Sequence, residues 1–392
     1  MQLRMLSEIS VQGKTVLLRA DFNVPIQAGV IQDQTRLRES LPTLRYLIEA
    51  GAKVVVMSHL GRPKGKETED LRLTPIGEAL SQLLGKTVVT LHDCIGTEVK
   101  GAVSRASFGD VILLENLRFH AEEEANDSGF AEALAEGMDL YVNDAFGTIH
   151  RAHASTVGVT QFLPSYAGFL VQKEVEILTS ILEAPQKPVC LVMGGAKIDT
   201  KIGILDRFLP IADSFIIGGA LANTFLVAQG YLVGDSLCEF DKASVASRFL
   251  DSAKNKTVLL PTDVLIAEET PSGASVAQVR VDEVSDGQKI LDLGAQTRQA
   301  FAEEIAKAKT ILWNGPMGLY EQEAFEAGTH SVAEAIARAE AVKVVGGGDT
   351  IDALSHFGIS TEKFTHISTG GGAMLEFLEG KMLPGVEVLL RS

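Results

Sequence analysis

Short apolar runs rich in β-branched residues recur along the chain, each parted from the next by a helix-length stretch of mixed polarity. The first half holds TVLLR from Thr15, KVVVM from Lys53, TVVTL from Thr87, VILLE from Val111 and LYVND from Leu140. The second half holds PVCLVM from Pro188, SFIIGG from Ser214, TVLLP from Thr257, KILDLG from Lys289, TILWNG from Thr310, VKVVGGG from Val342 and THIS from Thr365. Continuous apolar strands alternating with helical segments predict parallel sheets covered on both faces. The expected class is α/β, with two doubly wound, Rossmann-like domains of three layers and mostly parallel sheets.

Between the two series, GFLVQKEVEILTSILEAPQKP sets Val171, Val175, Leu178 and Leu182 on one face of a helix that Pro185 and Pro188 stop. This helix and a hinge are expected to join the domains. A chain of 392 residues with 46% hydrophobic content can fill two cores.

Open parallel sheets bind ligands beyond the carboxyl ends of their strands. In the first half those positions hold Arg19, Asp21 and Asn23, then His59 and Arg62, then Asn116 and Arg118, then Asn143 and Asp144 followed by His150, Arg151 and His153. Arg36 lies in IQDQTRLRES, read as a long loop after the first strand. In the second half the same positions are mostly glycine: GGAK from Gly194, GGA from Gly218, NGPMG from Asn314, GGGDT from Gly346 and TGGGA from Thr369. Arginine forks suit phosphate or carboxylate oxygens, whereas glycine turns let backbone N–H groups approach a phosphate chain or a flat base. The first half thus looks built for a small acid and the second for a nucleotide.

The formal net charge of −16 argues against nucleic acid or an anionic membrane as the main partner, because both are bound through broad basic surfaces. The three cysteines, Cys94, Cys190 and Cys238, are widely spaced and suggest neither a disulfide framework nor a zinc site. No apolar run is long enough to span a bilayer, and MQLRMLSEIS has no signal-peptide core, so a cytoplasmic protein is expected. GKT occurs at Gly13 and at Gly85, but Glu8 and Leu80 stand where a P-loop needs its first glycine. No G-x-G-x-x-G occurs, which weakens a dehydrogenase reading. His150 and His153 are spaced like metal ligands without supporting context, and Glu122, Glu123 and Glu124 read as a solvated acidic face.

LLRADFNVP (Leu17 to Pro25), SHLGRPKG, LLENLRFH, VNDAFGTIHRAHAS, GGAKIDTKI, LWNGPMGLYE, GGGDT and STGGGA follow one another in an order that resembles the phosphoglycerate kinase family over nearly the whole length. The resemblance implies reversible phosphoryl transfer between 1,3-bisphosphoglycerate and ADP, giving 3-phosphoglycerate and ATP, with Mg²⁺. It implies that Asp21, Asn23, Arg36, His59, Arg62, Arg118 and Arg151 hold the phosphoglycerate. Gly195, Lys197, Lys201, Gly219, Asn314, Pro316, Glu321, Gly347, Gly348, Asp349 and Thr350 would hold the nucleotide, with Asp349 orienting the metal. Arg36, Lys197, Gly348 and Gly371 would serve the transfer itself, on domain closure and with no general base, since the acceptor carboxylate is already ionised.

The resemblance also implies a tail that returns to the first domain. The expected phosphoglycerate-binding domain is therefore 1–170 plus 380–392, the nucleotide-binding domain is 171–379, and the chain is expected to be a monomer. Ala220 stands where the family commonly has a third glycine, and Ala295 near a common proline, both around the base end of the nucleotide pocket. A different small-acid kinase, or a two-lobed binding protein, are the rival readings.

Overall fold

The computed structural model describes residues 1–270 and 273–391. By internal contacts the chain divides into two compact units, one formed by Met1–Glu176 with the segment from Lys381 onward, the other by Ile177–Gly380. The first unit contains strands β1 (Thr15–Ala20), β2 (Ile26–Gln27), β3 (Val30–Ile31), β4 (Lys53–Met57), β5 (Val88–Thr90), β6 (Val111–Leu113), β7 (Leu140–Asp144) and β8 (Ser165–Ala167). Its helices are α1 (Thr35–Glu49), α2 (Thr74–Leu84), α3 (Thr97–Arg105), α4 (Ala121–Glu124) and α5 (Ser128–Ala135). Helix α6 (Phe169–Glu183) contains the division between the units, some residues later than the sequence boundary at 170.

Apart from the small β2–β3 hairpin, these strands form one parallel sheet in the order β5-β6-β4-β1-β7-β8. Alternate residues of the central strand feed opposite faces: Val16 and Leu18 join the core under α1 and α2, while Leu17 joins the one under α3 and α5. Burial on both faces is why these runs are continuously apolar. The chain builds outward from β1 on one side and returns through β7 on the other, so the order reverses between β1 and β7. At such a reversal the flanking loops diverge and leave a crevice at the carboxyl ends.

The second unit repeats the plan. Its strands are β9 (Val189–Met193), β10 (Ser214–Ile217), β11 (Thr257–Leu259), β12 (Asp263–Thr270), β13 (Gly273–Arg280), β14 (Gln288–Leu293), β15 (Thr310–Asn314), β16 (Val342–Gly346) and β17 (His366–Ser368). Its helices are α7 (Ile202–Phe208), α8 (Gly219–Ala228), α9 (Ala243–Ser252), α10 (Ala295–Ile305), α11 (Ala327–Arg338), α12 (Gly348–His356) and α13 (Gly372–Leu378). The parallel sheet runs β11-β10-β9-β15-β16-β17, reversing between β9 and β15. KILDLG, expected among the parallel strands, instead forms β14 in a separate antiparallel sheet, β13-β12-β14. There Val264 and Ile266 pack with Val281 and Val284 against Leu226 and Val233.

The closing segment, with α14 (Pro384–Glu387), belongs to the first unit: Leu3 bridges Leu390, and the Gly385 N–H donates to the Ile149 carbonyl at 2.9 Å.

Candidate active site

In the first unit the residues after β1, β4 and β6 converge. Asp21 is buried, and its Oδ2 accepts from Arg36 Nη1 at 2.6 Å. Asp21 Oδ1 accepts the Asn23 N–H at 3.1 Å, and Asn23 Oδ1 accepts the Gly61 N–H at 2.9 Å, tying the loop after β1 to the loop after β4. Arg118, in the single 3-10 turn Leu117–Phe119, donates from Nη1 to the Gly61 carbonyl at 2.8 Å. Arg151 donates from Nε to His150 Nε2 at 3.3 Å, while Arg62 is exposed and makes no hydrogen bond among the described residues.

Arg36 is not on a loop. Asp33 Oδ1 accepts both the Thr35 N–H at 2.8 Å and the Thr35 hydroxyl at 2.6 Å, which starts α1 at Thr35 and puts Arg36 in its first turn.

The electrostatics of this surface rest on guanidiniums. Burial, and then the charges of Arg19, Arg118 and Arg36, hold the His59 imidazole well below its usual range. His153 is pushed down to about 4 by burial and then by Arg19, Arg118 and Arg151. Both rings are therefore neutral at pH 7. Burial also lowers Arg118, opposed by Glu124, whose Oε1 lies 3.3 Å from Nε, but an arginine remains charged.

Glu123 corrects the acidic-face expectation. It is fully buried, accepting the Ser155 hydroxyl at 2.6 Å and the Ser155 N–H at 2.9 Å, and burial pushes its carboxyl up, whereas Glu122 and Glu124 face solvent. One cluster of metal-type side chains occurs among the described residues, Asp93, Cys94 and His120. His120 Nε2 is already bonded to Asp93 at 2.8 Å, and burial pushes the Cys94 thiol up, so this is a hydrogen-bonded pair beside a protonated thiol.

In the second unit a cavity of about 520 Å³ opens beside the β9/β15 reversal, and Gly195, Gly219, Pro316, Glu321 and Asp349 line it. The Gly195 N–H donates to the Pro316 carbonyl at 2.8 Å, closing the loops after β9 and β15 on each other. Gly219 has φ +62°, and a Cβ there would lie 2.7 Å from the Pro316 carbonyl oxygen, so only glycine fits this turn. The rest of the lining includes Pro261, Val264, Leu293 and Leu237, an apolar wall suited to a flat ring, with Ala220 beside it.

The other expected nucleotide residues form a network next to this cavity. Asn314 Nδ2 donates to the Gly346 carbonyl at 2.6 Å, and Thr350 Oγ1 accepts the Gly315 N–H at 2.8 Å. Gly347, at φ +101°, precedes α12, and Gly348 opens that helix. A Cβ on Gly348 would meet nothing within 4 Å, so neither packing nor a left-handed backbone accounts for glycine there. Lys201 is buried and pushed down to about 8, with the Asp349 charge opposing the shift, while Lys197 is exposed on the loop after β9. Gly371 caps α13, a helix of only 7 residues, and does not line the cavity.

Sequence reasoning named Arg19 at a strand end but gave it no role, and passed over Asn223 and Asp292. Arg19 carried a signal, a cation inside an otherwise apolar run. Asn223 and Asp292, both lining the cavity, lie in helical and strand patterns with no distinguishing mark.

A basic strand-end surface in one doubly wound unit and a glycine-built cavity in the other define an α/β phosphotransferase of the two-unit kind. A family model described as phosphoglycerate kinase matches residues 6–381. The chain is 50% identical over 386 residues to the phosphoglycerate kinase of Moorella thermoacetica, covering 98% of both chains. It is 52% identical over 387 residues to that of Dictyoglomus turgidum, covering 98% of this chain and 97% of the other. The solved phosphoglycerate kinase of Coxiella burnetii superposes with a TM-score of 0.88 at 41% identity, over 99% of this chain and 98% of that one. The chain belongs to the phosphoglycerate kinase family.

Proposed function

We propose that the chain carries out the family's reaction with the acid on the first unit and the nucleotide on the second. The activity is that of a phosphoglycerate kinase, reversible transfer of a phosphoryl group between the acyl phosphate of 1,3-bisphosphoglycerate and ADP. The observation that carries the division of labour is the opposite chemistry at the two strand-order reversals, guanidiniums in one unit and glycine N–H groups in the other. Asp21, Asn23, Arg36, His59, Arg62, Arg118 and Arg151 meet the acid, with Arg36 directed to the carboxylate and the moving phosphoryl group. Gly195, Gly219, Pro316 and Glu321 hold the base and ribose, and Lys197, Lys201, Asn314 and Gly347 to Thr350 hold the phosphates. Gly371 adds one N–H donor.

The Asp349 carboxylate is exposed, lines the cavity and takes no hydrogen bond among the described residues, which fits it to a Mg²⁺ brought in by the nucleotide. Such an ion would neutralise phosphate charge when bound. Transfer also requires the acid carboxylate to reach the terminal phosphorus while water, a competing acceptor, is kept out, and hinged closure would meet both needs.

The decisive test mixes the chain with ATP, Mg²⁺ and 3-phosphoglycerate and traps acyl phosphate with hydroxylamine. Hydroxamate formation is expected, and its absence with folded protein removes the reading. Scattering with both ligands should give a smaller radius than with either alone. Among the described residues no helix is long and apolar enough to cross a membrane. The proposal places the enzyme in the cytoplasm as a monomer, which sedimentation checks.

A further inference from the structure

Arg19 sits in the central strand of the first unit, in register with Met57 of β4 and Asn143 of β7, and is fully buried. A guanidinium in such a place is costly unless its donors are met, and an apolar residue of similar volume would often serve stability as well or better. Each of its three nitrogens has a partner here. Nε donates to Ser155 Oγ at 2.8 Å, Nη1 to the Ala20 carbonyl, and Nη2 to His59 Nδ1 at 3.2 Å. Its countercharge is one hydroxyl away, because the Ser155 hydroxyl donates to Glu123 Oε1 in a 2.6 Å hydrogen bond.

The bond to His59 decides that ring's protonation. A guanidinium has donors and no acceptor, so His59 Nδ1 must offer a lone pair, and in the neutral ring the proton sits on Nε2. A competing choice lies close by, since Asp21 Oδ1 is 4.0 Å from the same Nδ1. Without Arg19 that carboxylate favours a proton on Nδ1. The other charges facing the ring, Arg36 and Arg118, oppose a full positive charge on it, as Arg19 does.

We propose that Arg19 is a positioning residue for the acid substrate: it locks His59 in the Nε2–H form, so that the ring presents a donor to an anionic oxygen. The inference rests on the reading above that His59 meets the phosphoglycerate. The opposite tautomer would aim a lone pair at the same oxygen, turning an attractive contact into a repulsive one.

Long-range ¹H–¹⁵N correlation spectra of the full chain, with the His59 signals identified by their loss in His59→Gln, read the tautomer directly. At pH 7 Nδ1 should be unprotonated and Nε2 protonated. A proton on Nδ1 in the wild-type chain overturns the proposal, whether or not any Arg19 variant folds. Arg19→Met should move the proton to Nδ1 and raise KM for 3-phosphoglycerate roughly tenfold or more, with KM for ATP within about twofold. Arg19→Gln, whose amide can still donate, should keep the wild-type tautomer. A folded Arg19→Met chain with unchanged KM for the acid overturns the positioning role alone, provided His59→Gln is impaired. If His59→Gln also binds the acid normally, the assignment of His59 to the acid fails, and the proposal with it.

Discussion

Arg36 is a cation in the first turn of a helix, the end where the backbone dipole disfavours positive charge. That misplacement costs about 0.3–1 kcal/mol. The contact with Asp21 offsets it, but the Arg36 side chain is 31% exposed, so solvent screening holds the pair to about 1 kcal/mol or less. The two contributions nearly cancel. Arg36→Met should therefore change stability by no more than about 1 kcal/mol, roughly 2–4 °C in Tm for a unit of this size.

Activity should behave differently. An arginine that meets a phosphoryl transition state is worth roughly 10³–10⁵ in rate. The expected result in a coupled assay with ATP and 3-phosphoglycerate is a fall in kcat of that order with KM for the acid little changed. Arg36→Lys should not restore the rate, because an ammonium keeps the charge and loses the planar fork. A near-normal kcat in Arg36→Met would refute the reasoning, and so would a loss of Tm large enough to make Arg36 a structural residue.

Three further outcomes follow from the second unit. Thr350→Val should cost about 1–3 kcal/mol, read as a lower Tm, because it strands the buried Gly315 N–H that Thr350 Oγ1 now accepts; an unchanged Tm would mean that the loop after β15 does not depend on this bond. Lys201, pushed down to about 8 when free, should be pulled back up by an arriving phosphate, so nucleotide binding at pH 8 should take up about half a proton, seen calorimetrically in buffers of different ionisation enthalpy and lost in Lys201→Met. Asp292 is buried and pushed up to about 7, so the folded chain holds its proton more tightly than the unfolded chain does. Stability from this group is present at low pH and is lost as pH rises from about 4 through 7, and Tm plotted against pH should be flatter in Asp292→Asn. An identical slope in the two chains would count against a buried, protonated Asp292.

The parallel strands were readable because both faces are buried and every residue in the run must be apolar. The same criterion missed β12 and β13, whose antiparallel sheet exposes much of β13 and so needs alternation instead. The strand-end loops stood out as candidate ligand surfaces by residue type alone, while their three-dimensional partners were not readable. Arg19 reaches Ser155 across 136 residues, and nothing in the local pattern marks that pair. Among three consecutive glutamates, composition cannot say which one turns inward; the fold picks Glu123 because Ser155 waits there with two donors. The position of Arg36 depended on an Asp33–Thr35 turn that begins a helix where the polar sequence suggested a loop.

The two surfaces also differ in how they answer pH, and this separates their contributions to a rate profile. On the first unit, His59 and His153 are both held neutral at pH 7 by burial among cations, so the positive charge proposed to meet the acid comes from arginines that do not titrate. The phosphate of the acid has its own second ionisation near 6, so neither it nor these two rings changes charge between about 7 and 9. On the second unit, Lys201 at about 8 titrates inside that window. Acid binding should thus be flat above pH 7 while nucleotide binding weakens, and a KM for ATP that rises with pH at constant KM for 3-phosphoglycerate is the expected signature. Lys201→Met should remove the slope. If KM for the acid carries the slope instead, a group among the guanidiniums titrates after all, and the neutral-histidine account of that surface is wrong.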